Sequence, residues 1–262
     1  MNDHVKTPFR PLLAIRRYRL PLLLVLACLD CVLYLYLNRR DHWQLVDLGP
    51  LLSLPGDFGD YAIRFASSLV LFGLIPLLAA LVLGLKPREI GLRPSTAFLR
   101  SPVFLVLLLV FPLVSAQAAL GADLGSFYPF SKSLVNLFPG HEWLLGLHGL
   151  LYLTCYYLPW EVLFRGLLVF PFLPAQKTDR DPNWREVLGN PAVLGVACWQ
   201  ILPTVLIHYP SPLNETLGAL PFGIIAALVS LRFRSVLPIL IVHFFCGFAT
   251  DCTIVLHAAG VI

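Results

Sequence analysis

The stretch Leu150–Phe172, LLYLTCYYLPWEVLFRGLLVFPF, holds only two charged side chains, Glu161 and Arg165. A helix of this length, at about 1.5 Å per residue, crosses the roughly 30 Å hydrocarbon core of a bilayer. An ionised side chain at the centre of such a span costs about 2.5–3.5 kcal/mol on insertion scales. It is therefore kept facing the bundle interior, where it marks chemistry or a polar pathway. Positions i and i+4 share one helix face, so Glu161 and Arg165 are expected to pair. An ion pair of this kind is poor evidence of stability, because desolvation offsets its attraction, so a catalytic or transport role stands beside a purely structural one.

The remaining composition agrees with a membrane setting. The chain of 262 residues is 58% hydrophobic and 13% charged, with a mean hydropathy of +0.78. Soluble domains carry about 25% charged residues, a deficit that excludes an ordinary water-soluble core. The net charge of +4 is small and unevenly placed, which gives no basis for nucleic-acid binding. All six cysteines lie in apolar stretches and are read as small packed hydrophobes, not as a disulfide framework.

Seven apolar segments follow one another at about 20–37, 61–85, 102–121, 143–173, 191–208, 216–231 and 235–256. The expected fold is all-α, a polytopic membrane helical bundle of about seven transmembrane helices forming one integral membrane domain over 1–262. An eighth span in 41–60 is the alternative, and Asp41, Asp47, Asp57 and Asp60 argue against it. The basic start (Arg10, Arg16, Arg17, Arg19) before the first segment reads as a retained signal anchor. With the N-terminus inside, the cytoplasmic segments hold 14 basic residues and the outer ones four, Arg39, Arg40, Arg64 and Lys132. Seven spans then place the C-terminus outside.

Two histidines join the buried acid. His208 ends the fifth segment and His243 lies in the seventh, with Asp251 eight residues beyond it. An acid and two imidazoles from three helices make a catalytic set for acid–base chemistry or a metal site. Zinc on Glu161, His208 and His243 is the metal alternative, since two His and one Glu form a hydrolytic zinc ligand set. Tyr157 precedes Glu161 by one turn and offers a hydroxyl donor.

The string Trp160-Glu161-Val162-Leu163-Phe164-Arg165-Gly166 resembles the first motif of the CAAX-protease and bacteriocin-processing (Abi) family of intramembrane proteases, Glu-Glu, three residues, then Arg. His208 is similar to the histidine of the second motif and His243 to that of the third. Arg234-Ser235-Val236-Leu237-Pro238 resembles the lead-in to the third motif, and the Gly84–Leu92 loop resembles one common in bacterial members. The resemblance covers about 85–250, a family-like catalytic region. Two positions depart from the pattern. Trp160 stands where the family has its first glutamate, usually assigned as general base, and Gly247 stands where an Asn or Asp follows the third-motif histidine.

The resemblance implies an intramembrane glutamate-dependent endopeptidase without a cofactor, in which Glu161 is the general base, His208 helps hold the water and His243 stabilises the oxyanion. Arg165 and Tyr157 are expected to support the site, and Asp251 to stand in for the missing carboxamide at 247. The implied substrate is a membrane protein or lipidated peptide met in the lipid bilayer, and the implied setting is a bacterial cytoplasmic (inner) membrane. The alternatives are a non-catalytic member that binds a membrane segment as chaperone or regulator, favoured by Trp160 and Gly247, and a small transporter using Glu161 and Arg165 as a relay.

Overall fold

The computed structural model describes residues 17–37, 54–173, 180–209 and 211–262. Lys6, Arg10, Arg16, Arg39, Arg40, Lys177 and most of the 41–60 stretch lie outside the described residues, and with them part of the charge pattern and the candidate eighth span. Among the described residues there is no β-strand.

Each of the seven apolar segments forms a helical rod. These are α1 (Arg19–Leu37), α2 (Phe58–Ser68, Leu69–Leu74 and Ile75–Val82 in succession), α3 (Pro102–Ala119), α4 (Trp143–Leu151, Tyr152–Tyr157, Leu158–Glu161 and Val162–Leu167), α5 (Pro191–Trp199 and Ile201–Ile207), α6 (Leu213–Phe233) and α7 (Leu237–Ala258). Five of them, α1, α2, α3, α6 and α7, are long and apolar enough to cross a membrane. The exposed faces are apolar as well: Leu105, Val106, Leu109, Leu113 and Val114 of α3 stand open. Water would penalise a belt of this kind, and lipid does not.

Two rods depart from the regular helices expected. α4 alternates α-turns with two π-helical turns, at Tyr152–Tyr157 and Val162–Leu167. Single π turns of this sort shift side-chain register and are common at functional sites. α5 is short and broken before Pro203, whose missing N–H cannot sustain the ladder. Gln200 bridges the break, donating from Nε2 to the Ala197 carbonyl (3.1 Å) and across to the Gly223 carbonyl of α6 (2.9 Å). This side chain ties α5 to α6 at the break.

α4 is the central post. Residues 160–169 are all buried, and Trp160, Phe164 and Leu167 pack with Leu23, Tyr34 and Phe72 of α1 and α2. On its other side Tyr152 and Tyr157 pack with Phe58, Tyr61 and Phe65 of α2 and with Val255 of α7. The loop after α2 locks the cytoplasmic end expected from the charge pattern. Gly91 turns in the left-handed region (φ 73°), its carbonyl accepts from the Val236 N–H (3.0 Å), and Ser235 Oγ donates to the Arg93 carbonyl (2.9 Å). The same loop lies so close to α4 that a Cβ on Gly166 would stand 2.8 Å from the Ile90 carbonyl oxygen. Gly166 is therefore required by a backbone approach.

At the opposite end, the loop carrying Ala122–Phe127 and Ser133–Asn136 folds over the bundle. Its anchor is Asp57, the residue before α2. The carboxylate accepts from Ser131 Oγ (2.7 Å), Ser133 Oγ (2.7 Å), Ser133 N (3.0 Å) and Lys132 N (2.8 Å). Burial opposes ionisation of Asp57, but these donors outweigh it and hold its carboxyl below the usual aspartate range. A depressed folded value means that the contribution is present above the unfolded value near ~3.9 and is lost as pH falls through the folded one.

Two outcomes follow from this packing. Gly166→Ala should lower stability by about 1–3 kcal/mol through overpacking against a carbonyl. Gly146→Ala, with open space around its Cβ position, should be neutral or slightly stabilising; thermal unfolding in detergent checks the pair. Acidification below about pH 4 should expose the 121–136 loop to protease, and Asp57→Asn should make that exposure pH-independent.

Candidate active site

Glu161 and Arg165 occupy the middle of α4, both with fully buried side chains. The π turn that begins at Val162 does not separate them: Arg165 Nε lies 3.3 Å from Glu161 Oε2. The contact is an ion pair without hydrogen-bond alignment, since neither atom has a hydrogen-bond partner among the described residues. The other carboxylate oxygen makes the stronger contact. Glu161 Oε1 is 2.6 Å from His243 Nδ1 on α7. A carboxylate accepts, so Nδ1 carries the hydrogen and the neutral ring leaves Nε2 as its free acceptor.

His208, the residue closing α5, is held differently. Its Nδ1 lies 2.6 Å from the Thr204 carbonyl oxygen, which also can only accept, and its Nε2 is again the remaining acceptor. Both histidines meet the edge of Trp160, with ring centroids 5.4 Å (His208) and 6.3 Å (His243) away. Tyr157 and Phe222 flank His243 at 4.5 and 4.7 Å.

A cavity of about 400 Å³ opens among α3, α4, α5, α6 and α7, lined by Arg165, His208, His243 and Tyr157, with apolar side chains such as Phe111 and Phe222 making much of the wall. Three of the sequence-predicted residues thus share one hollow with the supporting tyrosine. Glu161 is buried and absent from the cavity wall, and it meets the hollow through the two cavity-lining side chains it contacts, His243 and Arg165. Trp160 is buried beside it and does not line the cavity either.

Asp251 is placed elsewhere. It lies 2.8 Å from Nε2 of the fully buried His148 on α4 and does not line the cavity. It lies one α-helical turn, about 6 Å, past Gly247, with its carboxylate engaged by His148 and not by the cavity. Among the described residues no three His, Cys, Asp or Glu side chains are grouped to hold a metal ion.

Sequence reasoning missed His148, which no spacing linked to Asp251, and the far end of the cavity. There Glu215, at the start of α6, accepts from Tyr128 Oη (2.8 Å), and both side chains line the hollow. Glu215 reads in the sequence only as part of an Asn-Glu-Thr triplet at a helix start, with no periodicity to turn it inward.

Residues 142–249 match the family model described as type II CAAX prenyl endopeptidase Rce1-like, a segment that contains Glu161, His208, His243 and the walls between them. Comparison with curated proteins and with solved structures gives no match. The motif residues converge inside the matched segment of an all-helical bundle, and over that segment the chain is similar to type II CAAX prenyl endopeptidases.

Proposed function

We propose that this protein hydrolyses a peptide bond of a membrane-associated or lipidated protein, with His243 as the base, Glu161 as the residue that orients and charges it, and His208 as the second holder of the water. The observation that carries the reading is the 2.6 Å contact between Glu161 Oε1 and His243 Nδ1 beside the shared cavity. A carboxylate behind an imidazole fixes its tautomer and stabilises the imidazolium that forms when Nε2 takes a proton.

In this mechanism a water donates its two hydrogens to the Nε2 atoms of His243 and His208. Its oxygen attacks the scissile carbonyl as His243 Nε2 accepts one proton. The tetrahedral oxyanion collapses, the C–N bond breaks, and His243 returns the proton to the leaving amine. Arg165 balances the Glu161 charge inside the bundle, and its burial keeps that balance independent of solvent. This differs from the roles implied by resemblance alone. Glu161 acts through His243, and so the loss of the first motif glutamate to Trp160 leaves the dyad intact.

The substrate reaches the site from the bilayer, since the hollow lies among spanning helices with a largely apolar wall. The matched family's description is a CAAX prenyl endopeptidase, and the apolar prenyl chain of a prenylated CAAX peptide suits such a wall. We place the N-terminus inside on the distribution of basic residues, and assign a bacterial cytoplasmic membrane on the resemblance of the Gly84–Leu92 loop to bacterial members. Binding without cleavage, as a chaperone or regulator of a membrane segment, is favoured by one feature, the sealing of Glu161 from the cavity.

An internally quenched farnesylated CAAX peptide in lipid nanodiscs separates these readings. Wild-type protein should cleave it. Glu161→Gln should reduce kcat by about 10³–10⁴-fold, as expected when the group orienting a catalytic histidine is lost. Glu161→Gln combined with His243→Asn should be no worse than His243→Asn alone, because residues acting as one unit are not additive. Binding of the peptide without turnover contradicts the hydrolytic assignment, and full activity in Glu161→Gln contradicts the role given to Glu161.

A further inference from the structure

The space beside His243 where α7 carries Gly247 is filled from α4. An ideal Cβ on Gly247 would stand 1.7 Å from Tyr157 Oη and 3.2 Å from Tyr152 Oη. Two phenol hydroxyls therefore converge on the one position of the third motif that lacks a side chain. Tyr157, Tyr152 and Gly247 all line the cavity, and the Tyr157 ring rests 4.5 Å from His243 and 4.5 Å from Tyr152. The π turn Tyr152–Tyr157 places both tyrosines on this side of α4. A glycine on one helix and a tyrosine on the next make a complementary pair: any side chain at 247 would expel the hydroxyl, and without the hydroxyl the glycine would leave a gap.

Given the hydrolytic reading above, on which this step rests, we propose that the Tyr157 hydroxyl is the oxyanion donor, set one helical turn along α7 from His243 and standing where the missing side chain at 247 would project. When water adds to the scissile carbonyl, the C=O π pair moves onto oxygen, and Tyr157 O–H donates a hydrogen bond to that oxygen without losing its proton. Tyr152 Oη lies close enough to the same point to hold the phenol in place. On collapse the oxygen pair re-forms the carbonyl and the hydrogen bond weakens. A donor aimed at developing charge acts on the transition state and leaves ground-state binding little changed.

The test uses the full-length protein in nanodiscs with the quenched farnesylated peptide and with its phosphinate analogue, in which a tetrahedral anionic phosphorus replaces the scissile carbonyl. Tyr157→Phe should lower kcat about 10²–10³-fold with little change in KM, and should weaken phosphinate binding by a similar factor. Tyr157→Ala with Gly247→Asn, which opens the space and refills it with a carboxamide donor, should be at least about tenfold faster than Tyr157→Ala alone. Equal phosphinate affinity for wild type and Tyr157→Phe overturns the donor role. If Glu161→Gln is inactive while Tyr157→Phe is fully active, the donor role falls and the histidine–carboxylate reading stands; if wild type binds both probes and cleaves neither, both fall.

Discussion

A carboxylate fully enclosed by protein, with an imidazole on one oxygen and a guanidinium beside the other, is the constraint around which this bundle is arranged. Neither Glu161 nor Arg165 can be left facing lipid, and neither can be left alone inside protein. α4 is therefore surrounded. α1 and α2 cover it with aromatic and branched side chains, α7 brings His243, and the loop at Gly91 seals its end. The buried charges are expensive and hold no obvious stability of their own, which fits groups retained for a task.

The same enclosure is the ground for proposing that the chemistry is routed through histidine. A carboxylate on the cavity wall would meet water directly, whereas Glu161 meets only His243 and Arg165. The two imidazoles have their Nδ1 atoms committed to protein acceptors, and each therefore presents the other nitrogen as a base. Two histidines prepared alike in one hollow, with the Tyr157 hydroxyl of α4 against the next turn of α7, make up the hydrolytic geometry proposed above.

Much of this was legible in the sequence. The seven apolar segments predicted the seven rods, and the isolation of Glu161 and Arg165 in Leu150–Phe172 pointed to the buried site. His208 and His243 stood out because imidazoles are costly in apolar spans. What stayed hidden depended on contacts between helices. The two π turns of α4 have no periodic signature, so the rotation that puts Glu161 behind His243 and not on the cavity wall could not be read from i, i+4 spacing. Asp251 looked available because its partner His148 sits 103 positions earlier on another rod. Gly247 read as a loss until Tyr157 was seen to occupy the space it leaves.

The account stands most directly on the tautomer of His243. Nitrogen-15 NMR of histidine-labelled protein in bilayers, assigned by comparison with His243→Asn, reports which ring nitrogen carries the hydrogen. A protonated, strongly hydrogen-bonded Nδ1 and a bare Nε2 in wild type, lost in Glu161→Gln, is the predicted result. A His243 protonated at Nε2 in wild type, or one unchanged by Glu161→Gln, would contradict it.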